Sequence, residues 1–477
     1  MLLRRFYDAP LAQASYLVGC QATGEALVVD PNRDVAHYLA AAHEEGVRIT
    51  HVTETHIHAD FMSGARELVA HTGARLLLSG EGGPDWQYRY AAADGATLLH
   101  DGDTFTVGNL KFEVVHTPGH TPEHLTFIVT DTPATDRPMG AFTGDFLFVG
   151  DVGRPDLLER AAKVAGTMES AARTLFRSLQ RFASRPDYLQ IWPGHGAGSA
   201  CGKALGAVPQ STLGYERVVN WAFGTQDEGE FVRAVLAGQP EPPAYFAVMK
   251  RSNRDGPAVL GTVAAPPALP AAAIRTALER GDVEIDLRAT ADFAAGHIPG
   301  TMNLPFNKSF TTWAGSLLPY DRELYLIGLD SPARTTHAVR ALSMIGLDHV
   351  AGVFPPASVA EWERTGELER VRQVEPSALD LDAPGVTVVD VRGRAEWEAG
   401  HLPGVRNIPL ATLGEHLDEL PSDGTVVLQC QGGGRSSIAT AMLLAHGHKN
   451  VANLRGGYRA WHAAGLPVEL EDEEVKA

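Results

Sequence analysis

The chain has 477 residues, 44% of them hydrophobic and 21% charged, enough for about three folded domains and unlike a disordered or fibrous chain. Against 40 Lys plus Arg stand 58 Asp plus Glu, a formal net charge of −18 that repels a phosphate backbone and excludes nucleic acid as a natural partner. Three scattered cysteines, Cys20, Cys201 and Cys430, fit reduced thiols and not a disulfide framework; the start, MLLRRFYDAP, lacks the apolar core of a signal peptide, and no run approaches the ~18 apolar residues of a spanning helix, so a cytoplasmic protein with no membrane partner is expected.

Residues 25–30 (EALVVD) are predicted as a buried strand, residues 35–45 as an amphipathic helix and residues 47–55 as a second strand, an α/β opening. Short β-type runs follow at 111–116 and 125–129, then a helix over 162–182, a helix over 228–237 and a strand over 245–250. Residues 254–257 and the Pro/Ala stretch 264–273 read as a linker into new structure. Beyond it lies an internal repeat. Residues 286–305 (DLRATADFAAGHIPGTMNLP) and 390–409 (DVRGRAEWEAGHLPGVRNIP) share Asp, Arg, a GHxPG turn and an Asn-x-Pro ending at a spacing of 104, so the chain holds two copies of one module. Further on the spacing is 101, where Arg435 matches Arg334 and Cys430 falls on Leu329. One copy has a thiol where its sibling has a leucine.

The first part carries four chemistry-bearing pieces: THIHAD at 55–60, HTPGH at 116–120, TGD at 143–145 and PGHG at 193–196. The first of them lies where a predicted strand turns toward a helix expected from near Met62, a position that aims His56, His58 and Asp60 into one cleft. A lone HxHxD is weak evidence, whereas four such pieces in this order are hard to attribute to chance. Near the other end, a predicted strand at 425–429 runs into CQGGGRSS at 430–437, and a helical pattern follows over 438–446. Gly432, Gly433 and Gly434 let the backbone curl its N–H groups inward, and the helix adds its positive end. Such a cradle stabilises a thiolate or persulfide anion on Cys430, and Arg435 closes the loop where it can pair with an anion.

The four pieces resemble the metallo-β-lactamase fold and, more narrowly, its persulfide dioxygenase branch. Two-metal hydrolases of this fold, glyoxalase II among them, carry HxHxDH; here the last position is Phe61, and a phenyl ring does not hold a borderline cation. The resemblance implies one Fe(II) per chain on two imidazoles and a carboxylate, matched by His56, His120 and Asp145, with positions left open for a persulfide sulfur and O2. His58, Asp60 and His195 match groups that orient the ligands, His58 being the first alternative ligand. Arg154, in GRPD at 153–156, matches a segment that supplies positive charge or holds a loop near the substrate. Cys201, six residues past His195, is placed near the cleft with a role in sulfur handling, while His116 and Cys20 read as structural.

Asp390, Arg392, GHLPG, the Cys430 loop and RGGYRAW at 455–461 resemble a rhodanese. The six positions from Cys430 to Arg435 suit a transferable sulfur, whereas rhodanese-like phosphatase loops are one residue longer. The first copy lacks the thiol and the glycines and resembles the inactive rhodanese of known fusions, a spacer or docking module. The implied architecture is multidomain α/β: a metallo-β-lactamase αββα sandwich over 1–255, a degenerate rhodanese over 256–372 and an active rhodanese over 373–477. The implied activity oxidises a low-molecular-weight thiol persulfide with O2 to sulfite and passes sulfur through Cys430 to give thiosulfate, in a homo-oligomer, dimer or tetramer. Two other readings stand beside it: a thioester hydrolase of glyoxalase II type with a regulatory rhodanese, and a non-catalytic sulfur carrier or sensor.

Overall fold

The computed structural model describes residues 1–160, 166–261 and 264–470. The chain forms two compact units, Met1–Val263 with Ser343–Gly346, and Ala264–Leu342 with Leu347–Ala477. In the first, two six-stranded sheets face each other. One adds Leu2–Asp8, Gln13–Cys20, Glu25–Val29, Arg48–Thr53, Arg75–Ser79 and Thr97–Leu99 in chain order. The other runs from edge to edge as Ser211–Thr212, Gln190–Pro193, Gly140–Gly144, Leu125–Asp131, Leu110–His116 and Thr104–Val107. Side chains alternate across a strand, so Tyr16, Val18, Leu27 and Val29 point inward to meet Phe112, Phe127, Phe142 and Trp192. Their neighbours Leu17 and Val28 point outward and pack on Tyr38, Ala42 and Leu68 of the helices Ala36–Glu44 and Ala65–Thr72. On the far side, Leu175, Leu179 and Phe182 of Met168–Phe182 cover Ile128, Ala141 and Ile191. The layers are αββα, as expected, and no helix among the described residues is long and apolar enough to cross a membrane.

Two elements differ from expectation. Residues 245–250 open the helix Phe246–Asp255 and are not a strand. Their short apolar run satisfies either period, and the next turn decides: Phe246, Met249 and Asn253 recur at helical spacing on the buried face. The linker therefore starts later than 254. The helix predicted over 162–182 is described from Met168 to Phe182, and its first residues, 162–165, lie outside the described residues.

The second unit holds two parallel sheets. One orders Met302–Asn303, Val283–Asp286, Leu324–Ile327 and Val350–Phe354; the other orders Arg372–Val374, Val451–Leu454, Thr425–Gln429, Val386–Asp390 and Arg406–Asn407. The repeat recurs bond for bond. Arg392 pairs with Asp390 at 2.6 Å and donates to the Gly400 carbonyl, as Arg288 pairs with Asp286 at 2.6 Å and donates to the Gly296 carbonyl. His401 stacks on Trp397 at 3.7 Å and His297 on Phe293 at 3.8 Å. Strand register corrects one detail of the repeat. Asp390 lies opposite Gln429 and Asp286 opposite Ile327, so Gly328, and not Leu329, occupies the place of Cys430. The loop from there to Arg334 is one residue longer than the loop from Cys430 to Arg435, which is why a constant offset misses.

The Asp-Arg pair tests how far burial matters. The Arg392 side chain is 1% exposed and Arg288 17%. Removing one partner of a buried pair leaves an uncompensated charge and costs about 3–5 kcal/mol. We expect Arg392→Ala to destabilise the chain by about that amount and Arg288→Ala by less, because water reaches the orphaned Asp286 more easily. Urea denaturation of the full chain followed by circular dichroism reads the order, and equal losses would contradict the explanation.

Candidate metal centre and thiol loop

The candidate metal ligands sit beyond the ends of strands from both sheets. His56 follows the strand Arg48–Thr53, and Asp145 follows Gly140–Gly144, turned inward by Gly144, whose φ of +47° favours a residue without a side chain. His120 lies on the loop after Leu110–His116. A Cβ on Gly153 would overlap the Asp145 carbonyl oxygen, so the return loop can close over the site only with glycine there. The three side chains converge: Asp145 Oδ2 is 3.8 Å from His56 Nε2 and 3.5 Å from His120 Nε2, all at most 2% exposed.

Hydrogen bonds assign the tautomers. Asp30, at φ +51° just past the strand Glu25–Val29, accepts from the Thr55 backbone N–H at 2.6 Å and from Thr55 Oγ1 at 2.9 Å. With its proton given to Asp30, Thr55 Oγ1 must accept from His56 Nδ1, 3.0 Å away, so Nε2 keeps a lone pair. His120 Nδ1 donates to the Arg154 carbonyl at 3.0 Å, with the same consequence. Burial pushes both imidazoles below their usual range, for His56 together with the other histidines around it, so each is neutral. Neither carboxylate oxygen of Asp145 accepts a hydrogen bond, although the residue is fully buried. Two neutral imidazoles and an unsatisfied carboxylate fit a divalent cation, which would supply the missing partner.

The other predicted residues divide into two neighbouring clusters. His58 Nε2 lies 3.1 Å from Asp30 Oδ1 and 3.4 Å from Glu54 Oε2, and its Nδ1 is buried without a hydrogen-bond partner. Burial alone would lower its pKa, but the carboxylates of Asp30, Glu54 and Asp60 raise it to about 9. Phe61, fully buried, packs on the His58 ring at 4.4 Å. Asp60 lies with His195 and Cys201. His195 Nε2 is 3.2 Å from Asp60 and 3.5 Å from Asp145, and these carboxylates outweigh burial to hold it well above its usual range. Burial, reinforced by Asp145 and Asp60, pushes the Cys201 thiol up to about 12. All three groups bring ligand atoms close enough to hold a cation, and in the His56, His120 and Asp145 set each imidazole has its Nδ1 hydrogen-bonded and its Nε2 within 4 Å of the same carboxylate oxygen.

Arg154, expected either to supply positive charge or to hold a loop near the substrate, has no exposed surface and does the second: Asp156 takes its guanidinium through two bonds of 2.7 Å, and the Ala200 carbonyl accepts a third. It ties the Cys201 loop to the carbonyl that orients His120. His116 is half-buried on the Pro122 carbonyl, outside the cluster. Sequence reasoning missed Asp30, Thr55 and Asn253. Asn253, in the helix first read as strand and linker, donates to the His58 and Phe61 carbonyls and so clamps the HxHxD loop. Asp30 did leave a signal, an acid closing an otherwise apolar strand. We expect Asp30→Ala to weaken metal binding about 10- to 100-fold, as loss of a ligand-orienting partner does, measured by chelator competition; unchanged affinity would remove Thr55 and Asp30 from the account.

In the second unit, Cys430 follows the strand Thr425–Gln429 and is 1% exposed. The Gly433 N–H lies 3.1 Å from its sulfur and Ser436 Oγ 3.4 Å. The helix begins at Gly434, earlier than expected, so Gly434 and Arg435 form its first turn, preceded by Gly433 at φ +96°. A Cβ on Gly432 would press on the Arg459 guanidinium. Arg435 is held by Glu396 through bonds of 2.5 and 2.8 Å. The RGGYRAW segment braces the loop, Tyr458 N–H donating to the Cys430 carbonyl and Arg459 N–H to that of Gln431.

Comparison with known proteins agrees with both halves. Residues 8–195 match the family model of the metallo-beta-lactamase superfamily, and residues 377–464 match that of the rhodanese-like domain. A persulfide dioxygenase from mitochondria of Mus musculus is 30% identical over 200 residues, 41% of this chain and 68% of its own length. A hydroxyacylglutathione hydrolase of Methylobacterium nodulans is 30% identical over 237 residues, 44% of this chain and 83% of its own. The crystal structure of a metallo-beta-lactamase from Staphylococcus aureus superposes with a TM-score of 0.66 at 43% identity, covering 75% of this chain and 99% of that one.

Proposed function

Since the chain belongs to the metallo-beta-lactamase superfamily and carries a rhodanese-like domain, we propose that it is an iron(II)-dependent persulfide dioxygenase joined to a sulfurtransferase. We divide it into the dioxygenase at 1–255, a degenerate rhodanese at 256–372 and the active rhodanese at 373–477, and place it in the cytoplasm as a homo-oligomer. One observation carries the reading: a two-imidazole, one-carboxylate cluster, with Phe61 where a further ligand would sit, shares a chain with a cysteine in a glycine-rich loop. His56, His120 and Asp145 would hold one iron(II). When bound, it would supply the one-electron chemistry that lets O2 react with a persulfide sulfur.

The protein's own groups do the rest. Asp30 through Thr55, and the Arg154 carbonyl, keep the two Nε2 lone pairs aimed inward. His195 Nε2, 3.2 Å from Asp60 Oδ2 and 3.5 Å from Asp145 Oδ1, would brace the carboxylate that holds the cation. Cys201 joins them as a protonated thiol able to donate to a sulfur anion. Overall, a persulfide RSSH, O2 and water give the thiol RSH, sulfite and two protons. Cys430 then carries a second sulfane sulfur in its loop; attack by sulfite breaks the S–S bond, leaves the electron pair on Cys430 and forms thiosulfate.

The test is O2 uptake by protein loaded anaerobically with Fe(II) and given glutathione persulfide, with bound metal counted on the same sample. Uptake proportional to about one iron per chain is the expected result. The hydroxyacylglutathione hydrolase likeness, and the acid, histidine and thiol grouped beside Asp145, favour the thioesterase as the second reading. Two zinc ions per chain, thioester turnover and no O2 uptake would select it.

A further inference from the structure

The first unit is not continuous in the chain: besides Met1–Val263 it takes in Ser343–Gly346, the turn that ends the helix Pro332–Ser343 of the first repeat copy. The helix stops on a glycine, Gly346 at φ +75°, whose N–H donates to the Ser343 carbonyl at 3.1 Å while the Leu347 N–H donates to that of Leu342 at 3.0 Å. Such an end leaves the Met344 carbonyl without an N–H from its own helix, and it accepts instead from the Met62 N–H at 2.7 Å. The Ser343 carbonyl also accepts from Arg33 Nη1 at 3.5 Å. Met62 closes the loop that begins at His56. Its peptide bond is held at both ends, because the Phe61 carbonyl on the other side accepts from Asn253 Nδ2 at 2.7 Å. One residue on, the Ser63 N–H donates to Asn253 Oδ1 at 2.9 Å.

The second copy ends its matching helix in the same way. Its Gly447 N–H donates to the Leu444 carbonyl at 2.9 Å and its His448 N–H to that of Leu443 at 3.0 Å. The residues on that turn, however, are Ala445, His446 and Gly447, all exposed. In the first copy the same places hold Met344, Ile345 and Gly346, and Met344 and Ile345 are 1% and 0% exposed. Both turns share one backbone geometry, so the repeat does not need an apolar tip; a buried contact does. We propose that the Ser343–Gly346 turn is a positioning element of the metal centre, which gives the copy without a loop thiol a role of its own. This rests on the reading of His56, His120 and Asp145 as the metal ligands. The loop that the turn grips at Met62 starts with His56, and beside the gripped peptide it carries Asp60 and the Phe61 ring, which packs on His58 at 4.4 Å. Released there, the loop gains other backbone shapes, and His56 loses its fixed place 3.8 Å from Asp145 Oδ2.

The experiment uses the full chain. Wild-type protein is compared with the double variant Met344→Ala, Ile345→His, which gives the turn the residues of its sibling and keeps Gly346, and with Ile345→Val, which keeps the tip apolar. Amide hydrogen exchange read by mass spectrometry follows residues 56–64, and anaerobic chelator competition reads Fe(II) affinity. The expected result for the double variant is faster exchange at 56–64 with exchange at 425–437 unchanged, and Fe(II) affinity weaker by about tenfold; Ile345→Val keeps the wild-type value of both. Should exchange rise throughout the chain, the double variant has lost its fold, and Met344→Ala alone is read by the same two measurements. Both readouts at wild-type values, or either one moved without the other, overturns the positioning role and leaves the metal centre standing. Wild-type protein that takes up no Fe(II), or that takes up no more than His120→Ala does, overturns the metal centre and the positioning role with it.

Discussion

His120→Ala is expected to abolish bound metal and persulfide-dependent O2 uptake together. His120 Nε2 faces Asp145 Oδ2 at 3.5 Å, and its other nitrogen is fixed by the Arg154 carbonyl, so the ring is already set toward the cation. The cluster would fall to one imidazole and one carboxylate. Changing a partner behind a ligand already costs about 10- to 100-fold in affinity, and deleting the ligand should cost more than that upper figure. Metal counting and oxygen-electrode traces on the same preparation decide it. Full metal occupancy in the variant would move the ligand set to the His195 cluster. His58→Ala offers a contrast: it removes the ring that meets Asp30 and Glu54 at 3.1 and 3.4 Å, so destabilisation of the fold around them is expected before loss of the cation.

Cys430→Ser is expected to take thiosulfate formation to the uncatalysed background while O2 uptake persists and sulfite accumulates in its place. A serine hydroxyl is a weak nucleophile at its own pKa and cannot hold a sulfane sulfur. The substitution is nearly isosteric, and the loop keeps its Gly433 and Ser436 contacts, so misfolding is not the cause of the loss. Ion chromatography of sulfite and thiosulfate from one reaction reads both halves at once. Thiosulfate at the wild-type rate would show that sulfur reaches sulfite without Cys430.

Much of this organisation could be read in advance because it is local. The GHxPG turns, the Asp-Arg pairs and the glycine run before a helix each act over a few neighbouring residues, where spacing alone decides what can bond to what. The misreadings occurred where local signals were equal. An apolar run at 245–250 suits strand or helix, and only packing of Met249 and Asn253 chose the helix. The offset that matched Cys430 to Leu329 failed because strand register, a contact between distant segments, puts Gly328 there.

Residue types and their order were sufficient for the α/β opening, for the internal repeat and for the short list of histidines, acids and thiols, since alternation and turn chemistry are written one strand at a time, while the αββα sandwich and the rhodanese fold rested on the family resemblance those motifs carry. Which members of that list face a common point was settled by folding. His56 and His58 are two positions apart, yet Asp30, brought from another strand, holds one through Thr55 with its Nε2 toward Asp145 and takes Nε2 of the other at 3.1 Å. Arg154 likewise became a buried tie because Asp156 and the Ala200 carbonyl surround it. Orientation and protonation depend on partners distant in the chain, and the packed structure alone supplies them.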